Sequence, residues 1–251
     1  MPHEHAQKSR VIAIMPARNS ARTLEDTVRA IPPGYVDQII LVDNASKDDT
    51  VAIAERLGIT VVRHSVDRGF GGSIKACLRT ALAAGADLIL ELHPDNQYDP
   101  AFVPALLDKA RSGDYAIVIG SRFLPSRRAL DGGMPWWKYV SNRILTFLNN
   151  RMLGLRLSEF HSGYRVYDAR WVRSIPFEGY SDDFKLGFQL IGQAVEDGWA
   201  IAEVPAFCRY FPEASSNPFG GSFIYGLGTL SESFRVFLYR HRVGVAKPGR
   251  L

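Results

Sequence analysis

The stretch Leu88-Ile-Leu-Glu-Leu-His-Pro-Asp-Asn-Gln-Tyr-Asp-Pro100 joins a short apolar run to a cluster of polar groups. Leu88–Leu92 suits a buried strand. His93, Asp95, Gln97 and Asp99 then alternate just past its end. In an open α/β sheet, ligands bind outside the carboxyl ends of the strands. A carboxylate at that edge is placed to hold a divalent cation against a diphosphate, since Mg2+ and similar hard ions take one or two carboxylates plus substrate phosphates.

Upstream, strands and helices alternate. Val11–Met15 is a continuous apolar run stopped by Pro16. Thr23 and Asp26 resemble a capping box, with Leu24, Val28 and Ile31 on one helical face. Gln38–Val42 reads as a second strand and Ile59–Val62 as a third. Asp48 and Asp49 open a helix through Leu57, because carboxylates favour helix N-termini. A helix over Ser73–Ala84 precedes the Leu88–Leu92 strand. A helix over Ala101–Arg111 and a strand over Tyr115–Gly120 follow it. This rhythm predicts an α/β fold with a mostly parallel central sheet and helices on both faces.

After Ser121 the pattern changes. Arg122–Pro135 reads as a loop, Trp136–Leu153 as a helix with aromatics, and Leu155–Gly163 as irregular. Asp182–Glu196 is expected to be helical and Ala200–Phe207 a strand. Phe223, Ile224, Leu227, Leu230, Phe234, Phe237 and Leu238 recur at helical spacing near Arg235, Arg240 and Arg242. That helix either packs on the domain, makes a dimer contact, or lies at an anionic membrane surface through 223–242. The division expected is a tail over 1–9, a catalytic domain over 10–216 split at 121/122, and a helical extension over 217–251.

The 251 residues are 46% hydrophobic and carry a net charge of +4. They can bury a full core. The basic excess lies toward the C-terminal half, in Arg122, Arg127, Arg128, Arg143, Arg151, Arg156, Arg165, Arg170 and Arg173. It suits either a solvated surface or anionic substrates and lipid heads. No nucleic-acid-binding signature is present. Cys77 and Cys208 form no CxxC and point to a reducing compartment. Without a signal peptide or an apolar run of the ~18–20 residues a span needs, the expectation is a cytoplasmic protein, at most peripheral at the inner face of a membrane.

Three strand ends in the first half deliver polar groups: Pro16-Ala17-Arg18-Asn19, Asp43-Asn44-Ala45-Ser46 and His93-Pro94-Asp95. Together they suit a nucleotide pocket, with Asp43 accepting from a base or ribose; alone, Asp43 could equally cap the next helix. Arg68-Gly69-Phe70-Gly71-Gly72-Ser73 lets backbone approach a phosphate or a neighbouring loop. It is neither a dinucleotide fingerprint nor a P-loop. There is no nucleophile elbow and no zinc spacing.

In order and content these pieces resemble the GT-A glycosyltransferases of family 2, and among them the dolichyl-phosphate mannosyltransferase branch. The likeness runs from Ile14-Met15-Pro16-Ala17-Arg18-Asn19 through Leu41–Thr50, which resembles VDDGSxDxT, and Asp67–Gly72, which resembles an Asn-x-Gly-x-Gly turn. His93–Pro100 resembles Asp-x-Asp-x-Gln-x-x-Pro, and Gly120-Ser121-Arg122 and Ser162-Gly163-Tyr164-Arg165 resemble two later arginine motifs. It covers about Val11 to Ser216. Three positions depart: His93 replaces the first metal-motif Asp, Ser20 an acidic residue, and Asn44 the second Asp of a pair.

The resemblance implies inverting transfer from a UDP- or GDP-sugar, with Mn2+ or Mg2+ as cofactor. It implies Asp95 as main metal ligand, with Gln97 and His93 beside it. His93 either assists or only shapes the loop; imidazole suits Mn2+ better than Mg2+. Pro16, Ala17, Arg18, Asn19, Asp43 and Gly71 become donor contacts. Arg122 and Arg165 become phosphate clamps, with surface ion pairs as the competing reading. A hydroxyl acceptor needs a base, for which Asp183 leads over Asp182, Glu159 and His161, although Asp182 and Asp183 also suit a helix N-cap. A polyprenyl phosphate acceptor needs none. A nucleotidyltransferase or a non-catalytic nucleotide-sugar binder are the other classes, and a homo-oligomer remains open.

Overall fold

The computed structural model describes residues 9–125, 128–210 and 219–243. The strands are β1 (Val11–Ala17), β2 (Gln38–Asn44), β3 (Thr60–His64), β4 (Leu88–Glu91), β5 (Tyr115–Ser121), β6 (Arg165–Asp168) and β7 (Ala200–Pro205). The helices are α1 (Leu24–Arg29), α2 (Thr50–Arg56), α3 (Gly69–Ala83), α4 (Val103–Arg111), α5 (Arg128–Asp131), α6 (Trp136–Leu153), α7 (Ala169–Ser174), α8 (Leu186–Glu196) and α9 (Phe219–Val243).

The seven strands form one sheet in the order β3-β2-β1-β4-β6-β5-β7. Strand side chains alternate between faces, so one strand feeds two cores. Ile12 and Ile14 join a cluster with Ile74, Leu78, Trp171 and Ile191 on one face, whereas Val11, Ala13 and Met15 join Leu24, Val103 and Leu107 on the other. Helices therefore cover both faces, as the apolar runs predicted.

The register gathers the functional segments at one edge. In the parallel pairs Ala17 lies opposite Asp43, and Ile14 opposite Glu91. β6 runs antiparallel to both β4 and β5, with Arg165 opposite Glu91 and opposite Ile119. An antiparallel strand brings its start to the edge where its neighbours end. Arg165 thus arrives beside the ends of β4 and β5.

Several boundaries differ from the sequence reading. β6 and α7 were not foreseen. The Gly-rich stretch is the first turn of α3 rather than a loop before it. α8 begins at Leu186, leaving Asp182 and Asp183 in the preceding turn. Thr23 stands at the N-cap of α1 but makes no capping bond; its Oγ1 donates to the Pro94 carbonyl at 2.5 Å, tying the first loop to the turn after β4. Asp48 does serve the start of α2, accepting from the Thr50 N–H at 3.1 Å. The Arg122–Pro135 loop holds the short α5. Residues 1–8 of the expected tail, Arg127 and the expected boundary at 216/217 lie outside the described residues.

The two long late helices pack with reversed polarity. α9 lies on α6 and α8 and buries Thr229, Ser233, Val236 and Arg240. Leu227, Phe234 and Leu238 stay exposed. α6 buries Thr146, Asn149 and Leu153 and exposes Trp136, Val140, Ile144 and Phe147. The helix packs on the domain, but through its small polar face. None of the described helices is long and apolar enough to cross a membrane.

Candidate active site

The loops after β1, β2 and β4 each contain a residue in the left-handed region: Asn19 (φ 54°), Ala45 (φ 57°) and Asn96 (φ 57°). Such residues cost free energy and persist where surroundings hold them. Here the loops brace one another. Ser46 Oγ accepts from the Asn19 N–H, and Asn19 Oδ1 accepts from the Lys47 N–H, both at 2.8 Å. Arg18 pairs with Asp67, which also accepts from Asn44 Nδ2 at 2.7 Å. Pro16 and Ala17 close β1 beside them. Asp43 is 4% exposed. One carboxylate oxygen accepts from the Ser46 N–H at 3.3 Å; the other, Oδ1, is buried with no hydrogen-bond partner. An unpaired buried acceptor is costly and calls for a donor.

Beyond β4, Asp95 Oδ1 accepts from the Gln97 N–H at 3.0 Å, shaping the turn. Gln97 is buried, and its carbonyl accepts from the Arg209 N–H at 2.8 Å. His93 Nε2 lies 3.0 Å from Glu91 Oε1. Burial opposes protonation of this ring, but the bond to Glu91 and the charges of Glu91 and Asp95 outweigh it and the net shift is upward.

A cavity of about 640 Å³ opens past this turn. Its lining includes the polar side chains of His93, Gln97, Arg122, Lys138, His161 and Arg165, and the apolar side chains of Ile144, Leu145, Leu227 and Leu230 from α6 and α9. Neither arginine is a surface ion pair. Arg122 is 7% exposed and its Nε donates to fully buried Glu159 at 2.8 Å, with Nη1 donating to Tyr210 Oη at 2.5 Å. Arg165 donates to the carbonyls of Ser162 (2.7 Å), Gly187 (2.6 Å) and Phe160 (3.0 Å). Carbonyls hold the guanidinium, and the buried Glu91 carboxylate, opposite Arg165 in the sheet, offsets part of its charge. Burial and Arg122 press the pKa of Lys138 below its usual value. Burial, with Arg122 and Arg165, lowers His161 to about 3, so its ring is neutral at physiological pH. His161 Nε2 is buried without a partner.

Three of the expected bases, Glu159, Asp182 and Asp183, are held elsewhere. Glu159 serves Arg122. Asp182 pairs with Lys75 at 2.6 Å. Asp183 Oδ1 accepts from the Lys185 N–H at 2.7 Å. Burial raises its pKa, but the backbone bond from Lys185, the Ser181 hydroxyl and the Lys185 charge outweigh it, and the net shift is downward. Such a carboxylate is a weaker base. Gly71 donates its N–H to the Asp182 carbonyl at 2.8 Å, and a Cβ there would lie 2.7 Å from the Asp183 carbonyl oxygen. Of the two readings of the glycines, close approach of a neighbouring loop is the one observed. Glu91 and Lys138 were not singled out from sequence; a lone carboxylate inside an apolar strand was the available signal for Glu91.

A mixed sheet whose strand ends carry nucleotide-suited loops, an acidic turn after β4 and a cationic cavity beyond it define a GT-A sugar transferase. Residues 12–175 match the profile of Glycosyl transferase family 2. The chain belongs to that family and is a glycosyltransferase. An undecaprenyl-phosphate mannosyltransferase of Micrococcus luteus is 30% identical over 208 residues, covering 78% of this chain and 82% of that protein. A polyprenol monophosphomannose synthase of Mycolicibacterium smegmatis is 24% identical over 78% of this chain and 76% of its own. Among solved structures, glucosyl-3-phosphoglycerate synthase of Mycobacterium tuberculosis with Mn2+, UDP and glucosyl-3-phosphoglycerate superposes with a TM-score of 0.63 at 22% identity, covering 96% of this chain and 82% of that one.

The donor set fits a divalent cation that leans on its substrate. Among the described residues, His, Cys, Asp and Glu side chains form no group of three or more able to cage a metal. Asp95 and the unbonded Nδ1 of His93 offer a carboxylate and an imidazole. One or two protein ligands plus diphosphate oxygens suffice for such an ion.

Proposed function

We propose that this glycosyltransferase moves a hexosyl group, with inversion, from a UDP- or GDP-sugar to polyprenyl phosphate at a membrane surface. The observation that carries this reading is the lining of the cavity: basic side chains, of which Arg122 and Arg165 are buried, and apolar side chains of α6 and α9, of which Ile144 and Leu227 are exposed. An anionic head on an apolar tail matches both kinds of lining. Ile144 and Leu227 line the cavity and are also exposed, so a tail longer than the cavity would run onto the apolar face of the two helices. The relatives named above suggest the same acceptor class.

The donor's base or ribose meets Pro16–Asn19 and the orphaned Oδ1 of Asp43. Asp95, with Gln97 and His93, would hold the cation, which offsets the charge growing on the leaving nucleotide. Lys138 and the Nε2 of His161 face the acceptor phosphate, with Arg165 adding positive potential and Arg122, paired with Glu159, shaping the wall beside them. The phosphate oxygen attacks the anomeric carbon as the bond to the nucleotide oxygen breaks, which inverts that carbon. Such an acceptor is already anionic, which agrees with Glu159, Asp182 and Asp183 being held by cations or backbone donors. Asp183 as a general base belongs to a hydroxyl acceptor.

Membrane contact through 223–242, extended to α6, fits the charge distribution. α6 carries Lys138, Arg143 and Arg151 with no carboxylate. Basic helices with exposed apolar faces bind anionic bilayers.

The test is incubation with radiolabelled UDP-glucose or GDP-mannose, Mn2+ and undecaprenyl phosphate in detergent. Label should pass to the organic phase only when the lipid is present, and Asp95→Asn should remove that transfer. Label entering a water-soluble acceptor such as 3-phosphoglycerate instead would overturn the lipid acceptor.

A further inference from the structure

Glu91 is a carboxylate inside an apolar strand, 3% exposed. Its Oε2 accepts from Tyr167 Oη at 2.6 Å, and its Oε1 lies 3.0 Å from His93 Nε2. The imidazole is confined on its remaining sides. A Cβ at Gly163 would lie 2.8 Å from His93 Cε1 and 3.0 Å from Nε2, so only glycine leaves room for the ring. Phe70 and Tyr98 meet it edge-on, with centroids at 5.5 and 6.1 Å. Nδ1 makes no hydrogen bond among the described residues, and the ring lines the cavity beside the Asp95 turn.

We propose that Glu91 is a positioning residue: it holds the Nε2–H tautomer of His93 and turns the Nδ1 lone pair into a nitrogen ligand for the donor's divalent cation. This rests on the reading of the site as one for a nucleoside diphosphate and a divalent ion. The physical reason is tautomeric. A neutral imidazole has one N–H and one lone pair, and the hydrogen bond at one nitrogen decides which the other carries. Metal-binding histidines ordinarily donate their second N–H to a carboxylate, and losing that partner costs about 10–100-fold in metal affinity. Tyr167 fixes Glu91 in turn, so the chain Tyr167–Glu91–His93 is rigid before any ligand arrives. An imidazole ligand also biases the site toward Mn2+ over Mg2+.

The experiment uses Mn2+ and UDP with the full chain in excess. UDP-dependent Mn2+ retention in equilibrium dialysis reports the ternary complex, and pulsed electron paramagnetic resonance reports nitrogen coupling to the ion. Retention with a 14N coupling that is lost in His93→Ala is the expected result. Glu91→Gln should weaken Mn2+ retention about tenfold or more and diminish the coupling, with thermal unfolding recorded alongside to show a folded variant. Retention without 14N coupling in the wild type overturns the nitrogen ligand and leaves the nucleotide–metal reading intact. Coupling and affinity unchanged in Glu91→Gln overturn the role of Glu91. No UDP-dependent retention at all overturns both readings.

Discussion

Ser233 Oγ donates to Asn149 Oδ1 at 2.9 Å, and both side chains are fully buried in the seam between α9 and α6. A polar seam frees the apolar residues of both helices for the outside. Phe147 and Leu238 are 64% and 38% exposed, well beyond what a closed core would leave. Replacing both by serine should therefore reduce binding to anionic vesicles severalfold. Folding stability should move by no more than about 0.5 kcal/mol per site, as for ordinary surface changes. Vesicle co-sedimentation and chemical unfolding check the two halves; equal vesicle binding by the double variant would remove the membrane role of this face.

Glu159 neutralises Arg122 out of contact with water. Its Oε2 also accepts from the Arg122 backbone N–H at 2.9 Å. Removing one partner of a buried pair leaves a bare charge and costs about 3–5 kcal/mol. Glu159→Ala should show that loss in urea unfolding, while Glu25→Ala, which breaks exposed pairs with Arg29 and Arg56, should leave the unfolding midpoint nearly unchanged.

Ala45 adopts φ 57° at the turn after β2. The left-handed region costs a non-glycine residue about 1–2 kcal/mol, whereas glycine adds about 0.4–1 kcal/mol of unfolded-state entropy to be lost. The balance favours glycine. Ala45→Gly should raise stability by roughly 0.5–1 kcal/mol, read as an upward shift of a few degrees in melting temperature.

Glu203 gives the fold a pH dependence. Burial pushes its pKa up to about 7; bonds from the Ser158 N–H, the Ser158 hydroxyl and the Glu159 N–H pull the other way, and the Glu159 charge adds to the rise. The folded state then holds a proton that the unfolded chain, with an ordinary carboxylate, has released. This contribution is fully present below 4.5, the ordinary value for a glutamate, and is lost as pH rises through about 7. Melting temperatures of wild type and Glu203→Gln at pH 5 and pH 8 check it. The drop from pH 5 to pH 8 should be smaller in the variant.

The first half of the sheet was legible because each parallel strand there is an apolar run stopped by a polar loop; Val11–Met15 and Leu88–Leu92 announce burial by composition alone. The Trp136–Leu153 helix was legible to the residue, since Pro135 and Gly154 bracket it. β6 was not, because Arg-Val-Tyr-Asp carries charges at both ends and draws its burial from β4 and β5.

Sequence by itself determined the family and the layered α/β order, since these follow from local runs and short motifs. Tertiary structure alone decided what the charged residues do. Arg122 and Arg165 look alike in sequence, yet one pairs directly with the Glu159 carboxylate and the other is held by three backbone carbonyls with Glu91 nearby. Long-range contacts set that difference, because the cost and effect of a buried charge depend on what lies beside it in space.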